Sequence, residues 1–414
     1  MKHVIRNAKI SGKIQAPESK SEFQRALAIS LLSYEESRLT FNHCFADDVK
    51  SAINIIESLG AEVNINNNEI LITGGINIIN NNLNVGESGL GIRMFTPIAC
   101  LSNSKILITG FGSLKTRPID MLINPLKSLG VSINTNNGLL PIKVSKSLLG
   151  GNTELDGSVS SQFLTGLLIA LPKAKNDSII KVENLKSIPY IDMTLDILSR
   201  AGIQIEHDSY KIFKIKGNQI YKPLNINIEG DWSGAAFMAV AGAIGGDISI
   251  SNLNKNSKQA DVKILEALRD VGAHFSFNNT TLNVKKIKLR SFNFDATHCP
   301  DLFPPLAVLA ANCKGISKIK GVTRLTFKES NRAEVLKSVF LKLGINITIE
   351  GDIMFITGGA IKGTEVSSHK DHRIAMAATI AGINSTQDIT ITGAECVSKS
   401  YPEFFHEFEK VILK

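Results

Sequence analysis

Charged residues stand at the beginning of several apolar segments, a placement that suits the binding of anions. The segment SKSEFQR puts Lys20 and Ser21 at the start of a predicted helix and Arg25 about one turn later. A helix N-terminus has unpaired N–H groups and about half a positive charge. With Lys and Arg side chains beside it, it forms a site for phosphate or carboxylate. Ordinary capping by Ser explains the same pattern at any single helix.

An acid in a similar position suggests proton transfer. Asp301 in CPDLFPP begins another apolar helix, where it either stabilises the helix dipole or acts as a base toward a bound hydroxyl. In FKESNR we predict that Lys328, Glu329 and Arg332 share the first turn of a helix. Lys328 and Arg332 would then repel each other by a few tenths of a kcal/mol, about as much as other like charges at i,i+4. A bound anion would remove that repulsion, and a solvated helix face is the alternative.

Further donors follow the same pattern. Arg117 in LKTRPID precedes a proline that can begin a helix, although an exposed Arg is the alternative interpretation. Ser160, Ser161 and Gln162 in SVSSQ offer donors suited to hydroxyls or phosphate oxygens, or a simple Ser cap.

The segment KDHRIAMAATIAG joins charged residues to a helix that is apolar enough to be buried. It predicts an anion site at Arg373. Lys399 in VSKSYP, taken alone, is typical of a surface lysine. His369 and His372 are three residues apart, but no third ligand is evident, so no bound metal is predicted. The chain has neither a GxxxxGK[ST] loop nor a GxGxxG loop after a strand, and we predict no cofactor.

The elements that position these residues repeat along the chain. A glycine that ends a predicted helix recurs at Gly60, Gly130, Gly202, Gly272 and Gly344, in steps of 70, 72, 70 and 72 residues. Gly is the expected residue where a helix gives way to a strand. The fixed period suggests one supersecondary unit used six times.

Each repeat reads as a strand, an amphipathic helix, two short strands and a helix that is apolar nearly all round. The apolar helices are FQRALAISLL, IRMFTPIACL, SQFLTGLLIALP, SGAAFMAVAGAIG, LFPPLAVLAA and HRIAMAATIAG. We expect all six to be buried, each with a polar cluster in front of it. If they run parallel within each domain, their positive ends would emerge on one face, and two opposed faces would form a cleft for a polyanionic substrate.

The composition agrees with such a protein. A chain of 414 residues with 43% hydrophobic content predicts two domains of roughly 200 residues each. Five scattered cysteines without CxxC spacing favour a reduced, cytoplasmic protein without disulfides or zinc. The net charge of +8 suits an anionic substrate or nucleic acid, but few aromatics and no dense basic run weaken the second interpretation. We predict neither a signal peptide nor a membrane span.

Eight segments together resemble one family, the 5-enolpyruvylshikimate-3-phosphate synthases, which are enolpyruvyl transferases of the shikimate pathway. They are SKSEFQRAL, KTRPID, VSSQFLTGLL, SIPYIDMTL, EGDWSGAAF, KESNRAEVL, DHRIAMA and SKSYPEFF, in the family's order through essentially the whole chain. The resemblance implies an inverted α/β, barrel-like architecture, with two domains that each contain three βαβαββ units with buried helices. Domain I would be residues 1–16 and 229–414, domain II residues 17–228, and the active site would lie in the cleft between them.

The resemblance also implies the reaction. The enolpyruvyl group of phosphoenolpyruvate would be joined to the 5-hydroxyl of shikimate 3-phosphate, with release of phosphate, on the route to chorismate and aromatic amino acids. Asp301 would be the base toward the 5-hydroxyl. Glu329 would exchange protons at the methylene carbon, with Lys20 assisting.

The same residue-by-residue match implies two sets of binding residues. Those for phosphoenolpyruvate are Arg117, Arg332, Arg373, Lys399 and the backbone of Gly89. Those for shikimate 3-phosphate are Ser21, Arg25, Ser160, Ser161, Gln162, Ser187 and Lys328, and Lys20 and Asp301 would also contact substrate. Arg suits bidentate phosphate contacts better than Lys does. These two small molecules would be the only partners of a cytoplasmic monomer that binds neither nucleic acid nor membrane.

Two positions depart from the family pattern. Members commonly have Asn-Ala-Gly-Thr where this chain has Glu87-Ser88-Gly89-Leu90. The shape of the loop near phosphoenolpyruvate and the sensitivity to glyphosate, an inhibitor of the family, therefore stay open. Arg324 stands where many relatives have an Asn that touches shikimate 3-phosphate.

Two other functions compete with this one. The sister family that transfers enolpyruvyl to UDP-N-acetylglucosamine shares the fold, but it typically has a Cys where this chain has Gly112, and its first motif usually reads Ser-Lys-Asn. A non-catalytic anion- or RNA-binding repeat protein is the alternative from a different class. It would not need an acid and a base at separate helix starts, and its binding of nucleic acid would depend steeply on salt.

Overall fold

The computed structural model describes residues 1–413, which form two compact units. Unit 1 consists of Met1–Ser19 and the chain from Glu229 onward, and unit 2 is Lys20–Ile228. The α-helices are α1 (Lys20–Ser30), α2 (Asp47–Leu59), α3 (Gly89–Ala99), α4 (Ile123–Ser128), α5 (Gln162–Ala170), α6 (Ile188–Arg200), α7 (Trp232–Gly245), α8 (Ile264–Asp270), α9 (Phe303–Ala311), α10 (Arg332–Lys342), α11 (His372–Gly382) and α12 (Phe404–Lys410).

The strands alternate with these helices in a regular order. They are β1 (Lys2–Ile5), β2 (Ile10–Gln15), β3 (Ser37–Thr40), β4 (Glu62–Asn66), β5 (Glu69–Thr73), β6 (Asn82–Asn84), β7 (Ile106–Thr109), β8 (Ser132–Asn136), β9 (Leu139–Ser145), β10 (Asn152–Asp156), β11 (Ser178–Glu183), β12 (Ile205–Asp208), β13 (Ile212–Ile215), β14 (Asn225–Asn227), β15 (Gly246–Ser251), β16 (His274–Asn278), β17 (Thr281–Lys285), β18 (Asn293–Asp295), β19 (Ile316–Lys320), β20 (Ile347–Glu350), β21 (Ile353–Thr357), β22 (Glu365–Ser367) and β23 (Ile389–Thr392).

One βαβαββ unit recurs through both halves of the chain. In the sheet β6-β7-β9-β8, β6 runs parallel to β7, and β9 is antiparallel to both β7 and β8. Helix α3 connects β6 to β7, and α4 connects β7 to β8. The sheets β10-β11-β13-β12 and β18-β19-β21-β20 have the same order. The predicted α/β fold with βαβαββ repeats is therefore confirmed. None of the sheets formed by residues 1–413 closes on itself, so the repeats are barrel-like at most.

Strands distant in the sequence complete the remaining repeats. In unit 2, β14 at the end of the unit pairs in parallel with β3 near its beginning. In unit 1, β2 pairs in parallel with β15, and β1 pairs antiparallel to β23. The last strand of unit 2 thus joins the first repeat of that unit. In unit 1, β2 joins the first repeat and β1 the last, so the N-terminal strands belong to the unit built mainly from the C-terminal half.

Alternate helices are buried on every side. Every residue of α3, α7, α9 and α11 is buried, and only the first residues of α1 and α5 are partly exposed. The prediction of six interior helices is confirmed. Burial of one large apolar side chain contributes about 1.5–3 kcal/mol, so these helices hold much of the stability.

The other helices are amphipathic, and α2, α4, α6, α8 and α10 each end one or two residues before a glycine of the period. In α2, Val49, Ile53 and Ile56 face the core, and Gly60 follows with φ 118°, which only Gly adopts without strain. The residue pattern predicted two short strands before each apolar helix. The structure has a further short strand there, which the pattern did not predict. β6, for example, has three residues with only Leu83 buried, which is too short to show alternation. Within residues 1–413, no helix combines the length and apolar character that crossing a membrane requires.

Helix α5 packs so closely on α3 that Gly166 has no room for a side chain. A Cβ there would overlap the Arg93 carbonyl oxygen and approach Met94 Cα to 3.0 Å. Gly→Ala in a helix normally gains about 1 kcal/mol. We expect Gly166→Ala instead to destabilise the protein by about 1–3 kcal/mol, measured by urea unfolding. Gly359→Ala, whose Cβ would meet only Ile345 Cδ1 at 3.8 Å, is the control. Equal stability of both variants would contradict close packing of α3 on α5.

Candidate active site

In unit 1, carboxylates and cations form an ion-pair network at the beginnings of α9, α10 and α11. Arg332, the first residue of α10, is completely buried. Its Nε and Nη2 donate to Asp371 at 2.9 and 3.2 Å, and its Nη1 donates to Asp301 at 2.9 Å. Its Nη2 also pairs with Glu329. Burial alone would lower the pKa of Arg332, but the charges of these carboxylates outweigh that effect and raise it, so the guanidinium stays protonated.

Asp301 is the acceptor that three cations share. Its carboxylate is 3.1 Å from Lys328 Nζ, 2.9 Å from Arg332 Nη1 and 3.2 Å from Arg373 Nη2, and 21% of its side chain is exposed. Burial by itself would raise the pKa of Asp301. The charges of Arg373, Lys328 and Arg332 outweigh burial and hold that pKa well below its usual value. The three cations therefore favour the ionised form of Asp301.

The predicted shared helical turn of Lys328, Glu329 and Arg332 is wrong. Helix α10 begins only at Arg332, and the other two residues lie in the irregular turn before it. Contacts from other segments fix Arg332, so the helix starts later than the local pattern indicates. The expected repulsion between Lys328 and Arg332 is offset by Asp301, a carboxylate of the protein itself.

Helix α11 begins with a residue that serves two purposes. Asp371 caps the helix by accepting a hydrogen bond from the backbone N–H of Arg373 at 3.0 Å, and it also holds Arg332. Arg373 is thereby fixed as the second residue of α11, and its buried Nη1 has no hydrogen-bond partner within residues 1–413. Lys399 is only 9% exposed and donates to the Lys370 carbonyl at 2.9 Å, so its interpretation as a surface lysine is wrong.

A further buried acid interacts with this network. Asp261 lies in a 3-10 helix, Ala260–Lys263, and accepts a hydrogen bond from Ser233 Oγ in the first turn of α7. Burial and the charge of Asp301 raise the pKa of Asp261 to about 7, although Arg373 and the Ser233 hydrogen bond act in the opposite direction. Sequence reasoning missed this residue, because QADVK looks like any exposed turn.

In unit 2, hydrogen bonds connect the beginnings of α1 and α3. Lys20, the first residue of α1, pairs with Asp48 at 2.7 Å. One turn later, Gln24 Nε2 donates to the Asp48 carbonyl oxygen and to Ser88 Oγ, each at 2.9 Å. Ser88 in turn caps α3 by accepting from the Gly91 N–H. The predicted helix start at Lys20 is confirmed.

Arg117 lies directly against the first residue of α3. A Cβ on Gly89 would stand 2.7 Å from both Nη1 and Nη2 of Arg117, so only Gly permits this approach. Arg117 is 6% exposed, which rules out the interpretation as an exposed Arg. Arg93 joins the same region to α5, donating to Gln162 Oε1 at 2.8 Å and to the Pro118 carbonyl at 3.3 Å. Pro118 does not begin a helix, since α4 starts five residues later at Ile123.

Arg25 connects α1 to α5 and α6 from a fully buried position. Its Nε donates to Thr194 Oγ1 at 2.9 Å and its Nη1 to the Ser21 carbonyl at 2.8 Å. Its Nη2 reaches Thr165 Oγ1 and the Tyr190 carbonyl, both at 3.4 Å. Burial lowers the pKa of Arg25 to about 10, so it stays charged at neutral pH.

The serines of unit 2 stand at the starts of α5 and α6. Ser160 Oγ accepts from the Gln162 N–H at 3.2 Å, whereas the adjacent Ser161 makes no side-chain cap. Ser187 precedes α6 with φ 56°, a conformation that costs about 1–3 kcal/mol in a residue other than Gly. Strain of this kind is often found at binding sites.

The predicted site residues thus fall into two groups. Unit 1 holds Asp301, Lys328, Glu329, Arg332, Arg373 and Lys399, and unit 2 holds Lys20, Ser21, Arg25, Gly89, Arg117, Ser160, Ser161, Gln162 and Ser187. The residues that sequence reasoning missed are Gln24, Asp48, Arg93 and Asp261, and it also missed the pairing of Asp371 with Arg332. Each acts on another side chain across the fold and leaves no local signal. Within residues 1–413, no group of three or more His, Cys, Asp or Glu side chains is arranged to hold a metal ion.

Cations and acids gather at the N-termini of buried helices in repeated βαβαββ units, an arrangement that suits small anionic ligands. The family model described as EPSP synthase (3-phosphoshikimate 1-carboxyvinyltransferase) matches residues 4–408. The chain belongs to this family, and the resemblance inferred from its motifs is confirmed.

Individual relatives agree along the full length. The 3-phosphoshikimate 1-carboxyvinyltransferase of Clostridium kluyveri is 38% identical over 99% of this chain and 97% of its own length. The enzyme of that name from Clostridium novyi is 36% identical over 98% and 96%. The solved EPSP synthase from Acinetobacter baumannii has a TM-score of 0.84 at 25% identity, covering 100% of this chain and 98% of that one.

The stability of the protein should depend on the ionisation of Asp261. Its pKa in the folded protein, about 7, is above the ordinary value of 3.8, so its contribution to stability is fully present below about pH 4 and is lost as pH rises through 7. Urea unfolding from pH 5 to 8 should show a shallower decline for Asp261→Asn than for the parent protein, by on the order of 1–3 kcal/mol. Asp388→Asn, at an exposed carboxylate 3.5 Å from Arg6, is the control. Identical declines in both variants would contradict the raised pKa.

Proposed function

We propose that this chain transfers the enolpyruvyl group of phosphoenolpyruvate to the 5-hydroxyl of shikimate 3-phosphate and releases phosphate. The observation that carries the proposal is the ionised Asp301, which lies among Lys328, Arg332 and Arg373 at the starts of buried helices. Such a cluster offers both a proton acceptor and the positive charge that phosphate and carboxylate groups require. The family to which the chain belongs supplies the identity of the two substrates.

Asp301 acts as the base toward the 5-hydroxyl. Its low pKa makes it a weak base while only the three cations of the protein stabilise its charge. Substrate anions that bind to Arg373, Lys328 and Arg332 offset part of the positive charge that stabilises the Asp301 carboxylate. The pKa of Asp301 then rises when the hydroxyl arrives, which brings it closer to the value that suits a general base.

Glu329 exchanges protons at the methylene carbon, and Lys20 assists. Glu329 is held against Arg332, so its carboxylate has a fixed position. Phosphoenolpyruvate is held by Arg332, Arg373 and Lys399 of unit 1. In unit 2 it is held by Arg117 and the backbone of Gly89. The unpartnered Nη1 of Arg373 supports this role, because a buried guanidinium N–H needs an acceptor.

Shikimate 3-phosphate is bound mainly by uncharged donors and a few cations. They are Ser21, Arg25, Ser160, Ser161, Gln162, Ser187 and Lys328, together with Lys20 and Asp301. The hydrogen bonds of Arg25 to protein atoms use four of its five N–H groups, so it contributes one donor and mainly fixes the segment around Ser21.

In this proposal the two domains are residues 1–16 with 229–414 and residues 17–228, and residues of both act on one pair of substrates. The protein works as a monomer in the cytoplasm, in keeping with five free cysteines. Light scattering of the purified protein tests the monomeric state, and a dimer under assay conditions would contradict it.

Fractionation of cells tests the cytoplasmic location, and recovery of the protein with the membranes or in the culture medium would contradict it.

The direct test of the reaction is the release of phosphate from phosphoenolpyruvate. We expect release that depends on shikimate 3-phosphate and a product that carries both the enolpyruvyl group and the 3-phosphate. UDP-N-acetylglucosamine should not replace shikimate 3-phosphate. Absence of phosphate release by freshly purified, folded protein would overturn the proposal.

The proton-transfer roles predict large losses of rate. Asp301→Asn and Glu329→Gln should each lower kcat by roughly 10²–10⁴-fold, because each removes a proton acceptor while keeping the side-chain shape. Asp295→Asn, at an exposed carboxylate 3.4 Å from Lys320, is the control and should retain full activity. Steady-state kinetics with both substrates saturating would measure the effect. Full turnover by either site variant would show that its assigned role is wrong.

A further inference from the structure

Glu87 lies near the residues proposed to bind phosphoenolpyruvate, but its carboxylate is hydrogen-bonded to another segment of the protein. Its Oε2 accepts hydrogen bonds from the Ser113 N–H at 3.0 Å and from Ser113 Oγ at 3.3 Å. Ser113 belongs to a 3-10 helix, Gly112–Thr116, and Arg117 follows that helix directly. Glu87 itself stands two residues before Gly89, the first residue of α3. The carboxylate therefore ties together the two segments that carry Gly89 and Arg117.

The two segments also touch through their backbones. The Phe111 N–H donates to the Gly86 carbonyl at 3.0 Å. Gly112 has φ 59°, and a Cβ on it would overlap the Glu87 carboxylate. Gly112 is thus required twice, once by its backbone conformation and once by the acid packed against it.

The position of Arg117 depends on this junction. Its guanidinium lies so close to Gly89 that a Cβ there would be 2.7 Å from Nη1 and Nη2. Its buried Nε has no hydrogen-bond partner within the described chain. No ion pair or side-chain hydrogen bond of Arg117 holds the guanidinium in place in that part of the chain. The approach of Arg117 to Gly89 is therefore set by the path of the backbone from Ser113 to Arg117.

We propose that Glu87 is a positioning residue, which sets the spacing between Arg117 and the Gly89 backbone through Ser113 and Gly112, and so determines how tightly the phosphoenolpyruvate anion is held. The inference rests on the proposed function of Arg117 and Gly89. Glu87 does not touch the substrate. Its negative charge is tolerated near an anion site because two Ser113 donors satisfy it.

Two glycines with nearly equal positive φ provide a matched test. Gly112 and Gly351 have φ 59° and 58°, but a Cβ on Gly351 would meet nothing within 4 Å. Both Ala variants place a side chain at a positive φ, and only Gly112→Ala also displaces Glu87. We expect Gly112→Ala to raise the KM for phosphoenolpyruvate roughly tenfold, with the KM for shikimate 3-phosphate within about twofold, whereas Gly351→Ala leaves both unchanged. Equal behaviour of the two variants would overturn the proposal.

Variants of Glu87 separate positioning from folding. Glu87→Gln keeps an oxygen that can accept from the Ser113 N–H, and it should stay within about twofold of the parent KM for phosphoenolpyruvate, whereas Glu87→Ala should raise it several-fold, on the order of 1 kcal/mol. In the double variant Glu87→Ala/Gly112→Ala, the glycine change should cost less than it does alone, because the overlapping carboxylate is absent. Additive effects, or a loss confined to kcat or to thermal stability, would refute a positioning role. A parent protein that fails to release phosphate would instead refute the proposed function.

Discussion

The chemistry of unit 1 depends on a guanidinium that has no contact with water. Arg332 is fully buried, and a buried charge is tolerated only when it is paired and hydrogen-bonded. Its partners Asp371, Asp301 and Glu329 come from three different segments of the chain. The need to satisfy one cation therefore brings together the starts of α9, α10 and α11. Removal of one partner of such a buried pair typically costs about 3–5 kcal/mol, so the site and the fold of unit 1 depend on the same contacts.

In unit 2, a buried guanidinium is satisfied by uncharged hydrogen-bond acceptors. Arg25 is as deeply buried as Arg332, but its four hydrogen bonds go to hydroxyl and carbonyl oxygens. Burial therefore lowers the pKa of Arg25, whereas carboxylates raise the pKa of Arg332. In the proposed mechanism, the two units therefore have different roles. Unit 1 contributes the carboxylates that exchange protons, and unit 2 contributes mainly donors that hold and orient the substrates.

The sequence predicted those parts of the fold that leave a local and repeated signal. Gly60 and its four counterparts were recognised because a left-handed residue after a helix is nearly always Gly, and the interior helices because they are apolar on all sides. The positions of Lys328 and Glu329 were predicted wrongly, since long-range ion pairs decide where α10 begins. The ion pairs that Asp48 and Asp371 form could not be predicted. Their partners lie 28 and 39 residues away, and such pairing is visible only in three dimensions.

The low pKa of Asp301 has a functional consequence that follows from the geometry. A base with a pKa near neutrality in the substrate-free site would be partly protonated and would also accept protons from water. In the proposed mechanism, Lys328, Arg332 and Arg373 keep the carboxylate charged but weakly basic until substrate anions compete for those cations. The base strength of Asp301 is then coupled to occupancy of the site by the substrates that carry the anions. Asp261 interacts with this cluster, and because burial and the charge of Asp301 raise its pKa to about 7, it is only partly ionised near neutral pH.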